Sequence, residues 1–310
     1  MNVVFLMKPL STVVKNKDTS LLFMQACQML GCNLYFLSQN NATITKNGVI
    51  FNVQKFSCNS ESSTSVFEIH ESKQLHESEI EAVFIRTDPP FDKRYLNDMW
   101  VLEQVKAPIK YINHPKGIKA VNEKIWVSQF KTLIPDTCIS SKKEELNDFL
   151  NKHNKIILKP TDGFGGESIC VVTKEDPNKN VLFEMVSENY TNYVIAQDYL
   201  PEAKSGDKRI LLADGEPVAA ILRHHSNLDH RNNFFAGGIA KTTEISERDQ
   251  HIINKLKPYL LKLGLRFVGI DIIGDYLIEV NVTSPTCLQE YNQLNNKSIH
   301  IDLIKSWLNL

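Results

Sequence analysis

The 310-residue chain has no apolar run approaching the roughly 20 residues that cross a bilayer as a helix. That excludes a helical membrane protein and predicts no membrane partner. Its formal net charge is −1, so no global basic field would draw it to nucleic acid or to an anionic membrane surface. Met1 to Met7 lacks a basic n-region and soon meets Lys8 and Pro9, so it reads as a first strand rather than a signal peptide. The six cysteines (Cys27, Cys32, Cys58, Cys138, Cys170, Cys287) show no paired-ligand spacing such as C-x₂-C. They read as a reduced, mostly buried, cytosolic set. Internal repeats and low-complexity tracts are missing too. What remains, 42% hydrophobic and 23% charged residues, is ordinary for a soluble globular enzyme with room for two domains.

The first third alternates strand and helix. Val3 to Met7, Asn33 to Leu37 and Ala82 to Ile85 read as strands. Thr19 to Leu30 reads as a helix with Leu22, Ala26 and Met29 on one face, stopped by Gly31. His114-Pro115-Lys116-Gly117 breaks the chain, and a helix is expected from Ile118 carrying Asn122-Glu123-Lys124. We place a domain boundary near residue 120. Beyond it, strands are expected at Ile156 to Lys159, Ile169 to Val172, Tyr193 to Asp198, Lys208 to Leu212 and Val218 to Leu222. The polar stretch 224–238 reads as a mobile loop.

Two apolar runs near the C-terminus, Phe267 to Ile273 and Tyr276 to Val282, carry Asp271, Glu279 and Asn281 only at odd positions. The even positions, Val268, Ile270, Ile272, Ile278, Val280 and Val282, predict a buried face. Two acids and an amide on the other face make an oxygen cluster of the kind Mg²⁺ takes beside nucleotide phosphates; a solvated hairpin face is the alternative. A regular two-residue turn at Gly274-Asp275 would pair Asp271 with Ile278, so the metal reading requires an odd-length loop or a bulge.

Lys155 to Lys159 is followed by Pro160, then by Asp162-Gly163-Phe164-Gly165-Gly166, and Ser168 opens the next strand. No helix follows the glycines, as a Rossmann fingerprint needs, and no Gly-Lys-Ser/Thr, as a Walker loop needs. A glycine-rich hairpin tip can instead lay bare N–H groups over phosphates, with Lys159 adjacent as a point charge; an ordinary tight turn is the other reading. Lys124, just past the break, could meet a second phosphate oxygen or be merely solvated. The strand end Gln197 to Pro201 could face an adenine edge, and Arg209 could stabilise charge developing in phosphoryl transfer. Ser284-Pro285-Thr286 before a helical run, Cys287 to Leu294, predicts a helix N-cap whose free N–H groups could meet an anion; a plain structural cap is the other reading.

Taken together, these segments resemble the prokaryotic glutathione synthetases, ATP-grasp ligases, over nearly the whole chain. The matching residues are Arg86 to Asp92, Asn122 to Lys124, Leu158 to Pro160 with its glycine loop, Tyr199 to Pro201 and Gly206 to Arg209. They continue with Asp214 to Pro217, Phe267 to Asp271 and Glu279 to Thr286. The resemblance implies an α/β fold: an N-terminal open α/β domain over 1–120, then an ATP-grasp domain with antiparallel sheets over 121–310. It implies that ATP phosphorylates γ-glutamylcysteine and that glycine attacks the acyl phosphate, in a cytoplasmic homo-oligomer, by analogy a tetramer. Lys124 and Lys159 would hold phosphates, under a loop of Gly163, Gly165, Gly166 and Ser168. Gln197, Tyr199 and Leu200 would receive adenine, with Asp207 near the nucleotide. Arg209 would be catalytic. Asp271, Glu279 and Asn281 would bind Mg²⁺, with Mn²⁺ as the alternative ion. Arg86, Arg223, Arg231, Asn233, Ser284, Pro285 and Thr286 would hold peptide and glycine.

The chain departs from the family pattern at Lys8, where an acid is usual, at Ile239, where the mobile loop usually has arginine, and at Gln289, also usually arginine. We expect these changes to cluster where the peptide and amine sit.

Overall fold

The computed structural model describes residues 1–59, 66–163, 165–224 and 239–310. The N-terminal elements are β1 (Asn2–Leu6), α1 (Thr19–Met29), β2 (Asn33–Leu37), β3 (Ala42–Thr45), β4 (Gly48–Cys58), β5 (Phe67–His76), β6 (Ala82–Ile85), α2 (Lys93–Leu102), β7 (Lys110–Ile112) and α3 (Pro115–Ala120). They form one seven-stranded sheet in the order β3-β4-β2-β1-β6-β7, with β5 also on β4. The centre of this sheet is parallel, β2-β1-β6-β7, and its far side is antiparallel. Parallel strands are covered on both faces, which is why β1 and β6 are unbroken apolar runs rather than alternating ones. On α1 the buried side chains are Leu21, Phe23, Met24, Ala26 and Cys27. The expected face through Leu22 and Met29 is therefore wrong, and Met29 is 61% exposed. The helix is packed on its other side, by the end of the chain.

A second set follows: β8 (Thr137–Ser140), α4 (Lys143–His153), β9 (Lys155–Pro160), β10 (Cys170–Thr173), α5 (Lys179–Val186) and β11 (Val194–Asp198). Its four-stranded antiparallel sheet, β10-β9-β11-β8, has its own core of Leu146, Phe149, Ile156, Leu158, Val172 and Phe183. The third set is β12 (Asp207–Ala213), β13 (Glu216–His224), β14 (Ile239–Thr242), α6 (Glu247–Lys262), β15 (Phe267–Ile273), β16 (Tyr276–Asn281), α7 (Leu288–Asn295) and α8 (Ile299–Leu308). Its strands make a five-stranded antiparallel sheet, β14-β13-β12-β15-β16.

Helix α8 returns to the N-terminal sheet. Trp307 meets Phe23 of α1 edge-on at 5.5 Å and Phe267 of β15 at 5.7 Å, so one aromatic cluster joins the first and third sheets. Asn113, buried after β7, adds a polar staple. Its side chain donates to Phe267 O and Val282 O, both at 2.8 Å, and accepts from Phe267 N at 2.7 Å. The crevice between the first two sheets and the third is therefore held from below.

Candidate active site

Strand register assembles the centre of the site. Arg209 on β12 pairs with Asp271 on β15, which pairs in turn with Glu279 on β16. The three side chains thus lie in one row across three strands. The β15–β16 turn is the two-residue Gly274-Asp275, but the ladder is not regular: it shifts one residue past Asp271. Ile272 faces Leu277 and Asp271 faces Glu279, leaving Ile278 as the extra residue of a bulge. The bulge reconciles the turn with the acidic row, as the metal reading required. It also corrects one expectation: Leu277 is buried, while Ile278 points with Glu279 into the crevice.

The crevice is a cavity of about 580 Å³, and it receives residues from the second and third sheets and from the segments that follow β1 and β6. Arg209 donates to both oxygens of Asp271, at 2.7 and 2.6 Å, and approaches Glu279 at 3.6 Å. Arg223, one strand further out, bonds both oxygens of Asp207 and reaches Asp271 at 2.8 Å. Burial pushes the Asp271 carboxyl up, but Arg209 and Arg223 more than reverse this and hold it well below the ordinary carboxylate range. Glu279 is helped less: burial first, then Asp271, push it up to about 7 against the smaller opposing pull of Lys124 and Arg209.

Two lysines face this row. Lys159 ends β9 and donates to Gln197 Oε1 at 3.0 Å; Gln197 is fixed in turn by donating to Thr137 Oγ1 at 2.9 Å. Burial pulls the Lys159 ammonium down to about 8, with Glu279 resisting and Lys124 assisting. Lys124 donates to Gly163 O and stands 4.0 Å from Glu279. It is not on a helix as expected: α3 stops at Ala120, and Asn122 caps a separate turn by accepting from Lys124 N and Ile125 N. Gly165 and Gly166 have φ of +63° and +77°, left-handed values that side chains disfavour. Gly163, Gly165, Gly166, Tyr199 and Leu200 all line the cavity.

The donor set suits a hard divalent cation. Asp271, Glu279 and Asn281 all line the cavity and offer only oxygen as ligand atoms. The raised Glu279 beside the buried Asp271 is a place where a cation lowers the cost of two adjacent carboxylates. Among the described residues no three of His, Cys, Asp and Glu form a metal cluster, and the third protein oxygen beside this pair would be the Asn281 amide.

Other expected site residues fall elsewhere. Arg86 does not line the cavity. It is 4% exposed and donates to Ser20 Oγ at 3.0 Å and Pro285 O at 2.9 Å, supporting the 284–286 turn from behind. Ser284 is not a helix cap: α7 starts at Leu288 with Cys287, at φ +90°, in the cap position. Ser284 donates instead to Asp88 Oδ1 at 2.6 Å; with Pro285 and Thr286 it lines the cavity through a non-helical turn. Ser168 is not a lining residue. Arg231, Asn233 and most of the 224–238 loop lie outside the described residues, as does Phe164.

Glu123 is the residue missed on the sequence. Its Oε1 accepts from Val282 N, Thr283 N and Thr283 Oγ1 at 2.8, 3.0 and 2.9 Å, clamping the end of β16. Its signal was membership of the Asn122-Glu123-Lys124 segment that carries the family resemblance.

Family models agree with this geometry. The prokaryotic glutathione synthetase N-terminal domain matches residues 1–119, and the ATP-grasp domain of prokaryotic glutathione synthetase matches residues 123–296. The chain belongs to the prokaryotic glutathione synthetase family. A glutathione synthetase of Pseudomonas aeruginosa is 38% identical over 289 residues, covering 93% of this chain and 91% of its own. One from Escherichia coli is 35% identical over 286 residues, covering 92% and 90%. Among solved structures, the D-cycloserine synthetase DcsG superposes with a TM-score of 0.68 at 14% identity, covering 99% of each chain. The ATP-grasp ligase PsnB, complexed with a minimal precursor, gives 0.64 at 15%, covering 99% of this chain and 98% of its own. At those identities the two structures show the fold alone.

Within this glutathione synthetase family member, the three departures do not cluster as expected. Gln289 donates to Lys15 O and Asp18 O, at 3.1 and 2.7 Å, away from the cavity. Ile239 is 60% exposed at the start of β14. Only Lys8 lines the cavity.

Proposed function

We propose that this protein is an ATP-dependent ligase that joins γ-glutamylcysteine and glycine into glutathione, releasing ADP and phosphate. The observation that carries this reading is the Arg209–Asp271–Glu279 row facing Lys124 and Lys159 beneath a left-handed glycine turn. A carboxylate is a poor electrophile at neutral pH, so it must first be activated as an acyl phosphate. That transfer asks the protein mainly for positioning and charge neutralisation.

Lys159 and Lys124 neutralise nucleotide phosphates. Binding restores the charged form of Lys159 that burial disfavours. Gly163, Gly165 and Gly166 lie over the phosphates, and Gln197, Tyr199 and Leu200 receive the base. Asp271, Glu279 and Asn281 hold Mg²⁺, which shields the phosphate charge when bound. Arg209, fixed by its two bonds to Asp271, presents a permanent cation to the transferring phosphoryl group and then to the tetrahedral centre formed by glycine. Arg223 and the 284–286 turn hold the peptide, and Arg86 keeps that turn in place. Residues 1–120 form the substrate-side domain and 121–310 the ATP-grasp domain of a cytoplasmic homo-oligomer.

The test is ADP release with γ-glutamylcysteine, glycine, ATP and Mg²⁺, together with identification of the thiol product. Turnover dependent on all four supports the reading. No turnover with this pair, but turnover with another carboxylate and amine, replaces it.

A further inference from the structure

Of the cavity's lining residues, those contributed by the first 120 are Lys8, Thr12, Asp88 and Pro89. Their position follows from topology. β1 and β6 are parallel neighbours, with Leu6 beside Ile85, so Lys8 and Asp88 leave adjacent strands at the same, C-terminal edge. That edge is where open parallel sheets bind ligands. Lys8 Nζ stands 3.9 Å from Asp88 Oδ2 and donates to Pro89 O at 3.5 Å. The two side chains are 40% and 48% exposed, so their mutual attraction is weak and readily opened. Asp88 is not free to swing, because Ser284 holds its other oxygen at 2.6 Å. The result is one positive and one negative group side by side, facing the cavity.

We propose that Lys8 and Asp88 form a recognition subsite for the zwitterionic head of the glutamyl residue. Lys8 donates to its α-carboxylate, and Asp88 Oδ2 accepts from its α-ammonium. This inference rests on the ligase reading above. The dipeptide carries a free ammonium and a free carboxylate on one carbon, at the end remote from the cysteinyl carboxylate that is activated. That head matches an opposed ion pair a few ångströms wide. Glycine is also a zwitterion, but its nitrogen must be neutral and aimed at the acyl phosphate, so Asp88 cannot hold it as an ammonium. ATP offers no ammonium.

The experiment measures steady-state kinetics of the full chain at saturating ATP and glycine. Lys8→Met is expected to raise the KM for γ-glutamylcysteine on the order of tenfold, the size of a lost charge-assisted hydrogen bond. Neither kcat nor the KM for glycine should move, and Lys8→Arg should restore most of the loss. The decisive comparison uses 4-aminobutanoyl-cysteine, which lacks the α-carboxylate. Wild type should lose on the order of tenfold in kcat/KM with it, and Lys8→Met should cost nothing further. An equal loss with both substrates, a shift in the glycine KM, or an unchanged dipeptide KM overturns the subsite. Failure of wild type to use γ-glutamylcysteine at all sinks the ligase reading and the subsite with it; normal wild-type turnover with a flat Lys8→Met profile sinks the subsite alone.

Discussion

Glu279 shows at the scale of one residue how the site trades comfort for function. It is half-buried beside Asp271, and the protonated form is favoured more than for an ordinary carboxyl. Glu279→Gln keeps the shape and removes the charge. We expect kcat to fall at least on the order of 100-fold, as when one preorganised electrostatic contact is lost. Circular dichroism should remain that of wild type; near-normal kcat would reverse the role given to this residue. Glu77 behaves in the opposite sense. Burial pushes its carboxyl up, but Val49 N, at 2.8 Å, and Lys106 N and Ala107 N, at 2.9 and 3.1 Å, outweigh this and hold it below its ordinary value. A depressed folded pKa means a contribution that is complete above the unfolded carboxyl value and is lost as pH falls through the folded one. Glu77→Gln should therefore cost about 1–3 kcal/mol at pH 7 in urea unfolding. The gap to wild type should narrow below about pH 4, near the unfolded carboxyl value; a gap independent of pH would show that charge is not what the backbone groups hold. Placements that depend on nearby chain were legible from the sequence, as the position of Asp271, Glu279 and Lys159 in one cavity was. Arg86 was misread because its partners, Ser20 and Pro285, lie 66 and 199 residues away.

Elements were legible where period and punctuation agree. Alternation and the glycine-aspartate turn together required a bulge in the last hairpin, and one is there. Its position was not legible, because Leu277 and Ile278 are both apolar and either could be buried. The start of α7 was misread for a related reason. Ser-Pro is a sound capping pair locally, yet Arg86 takes Pro285 O and Asp88 takes the Ser284 hydroxyl, so tertiary bonds claim the turn before a helix can. The glycine turn offers a test at this scale. Gly165→Val places a β-branched residue at φ +63°, where the backbone is strained for any side chain with a branched Cβ. The KM for ATP should rise about tenfold or more, while thermal stability changes little because the turn is exposed to the cavity. Unchanged ATP kinetics would reduce the turn to a simple connection.

At the scale of the molecule, a boundary near residue 120 does not separate two cores. The sheet of β8 to β11 has its own core with α4 and α5, but the last sheet shares its apolar residues with the first. Asn113 is the polar part of that joint. It satisfies Phe267 N and O and Val282 O at once, and those two residues flank the strands bearing Asp271 and Glu279. Asn113→Ala leaves three buried backbone groups without their partner. At about 1–3 kcal/mol for each unsatisfied group, less whatever water recovers, the net cost should be about 3 kcal/mol or more. Because the joint crosses the molecule, the loss should appear as a lower midpoint for the whole first and third sheets, not as local fraying near residue 113. Hydrogen exchange should then accelerate in β1 and β15 together. Faster exchange confined to β7 would mean that the two sheets hold independently, and that Asn113 does not brace the joint between them.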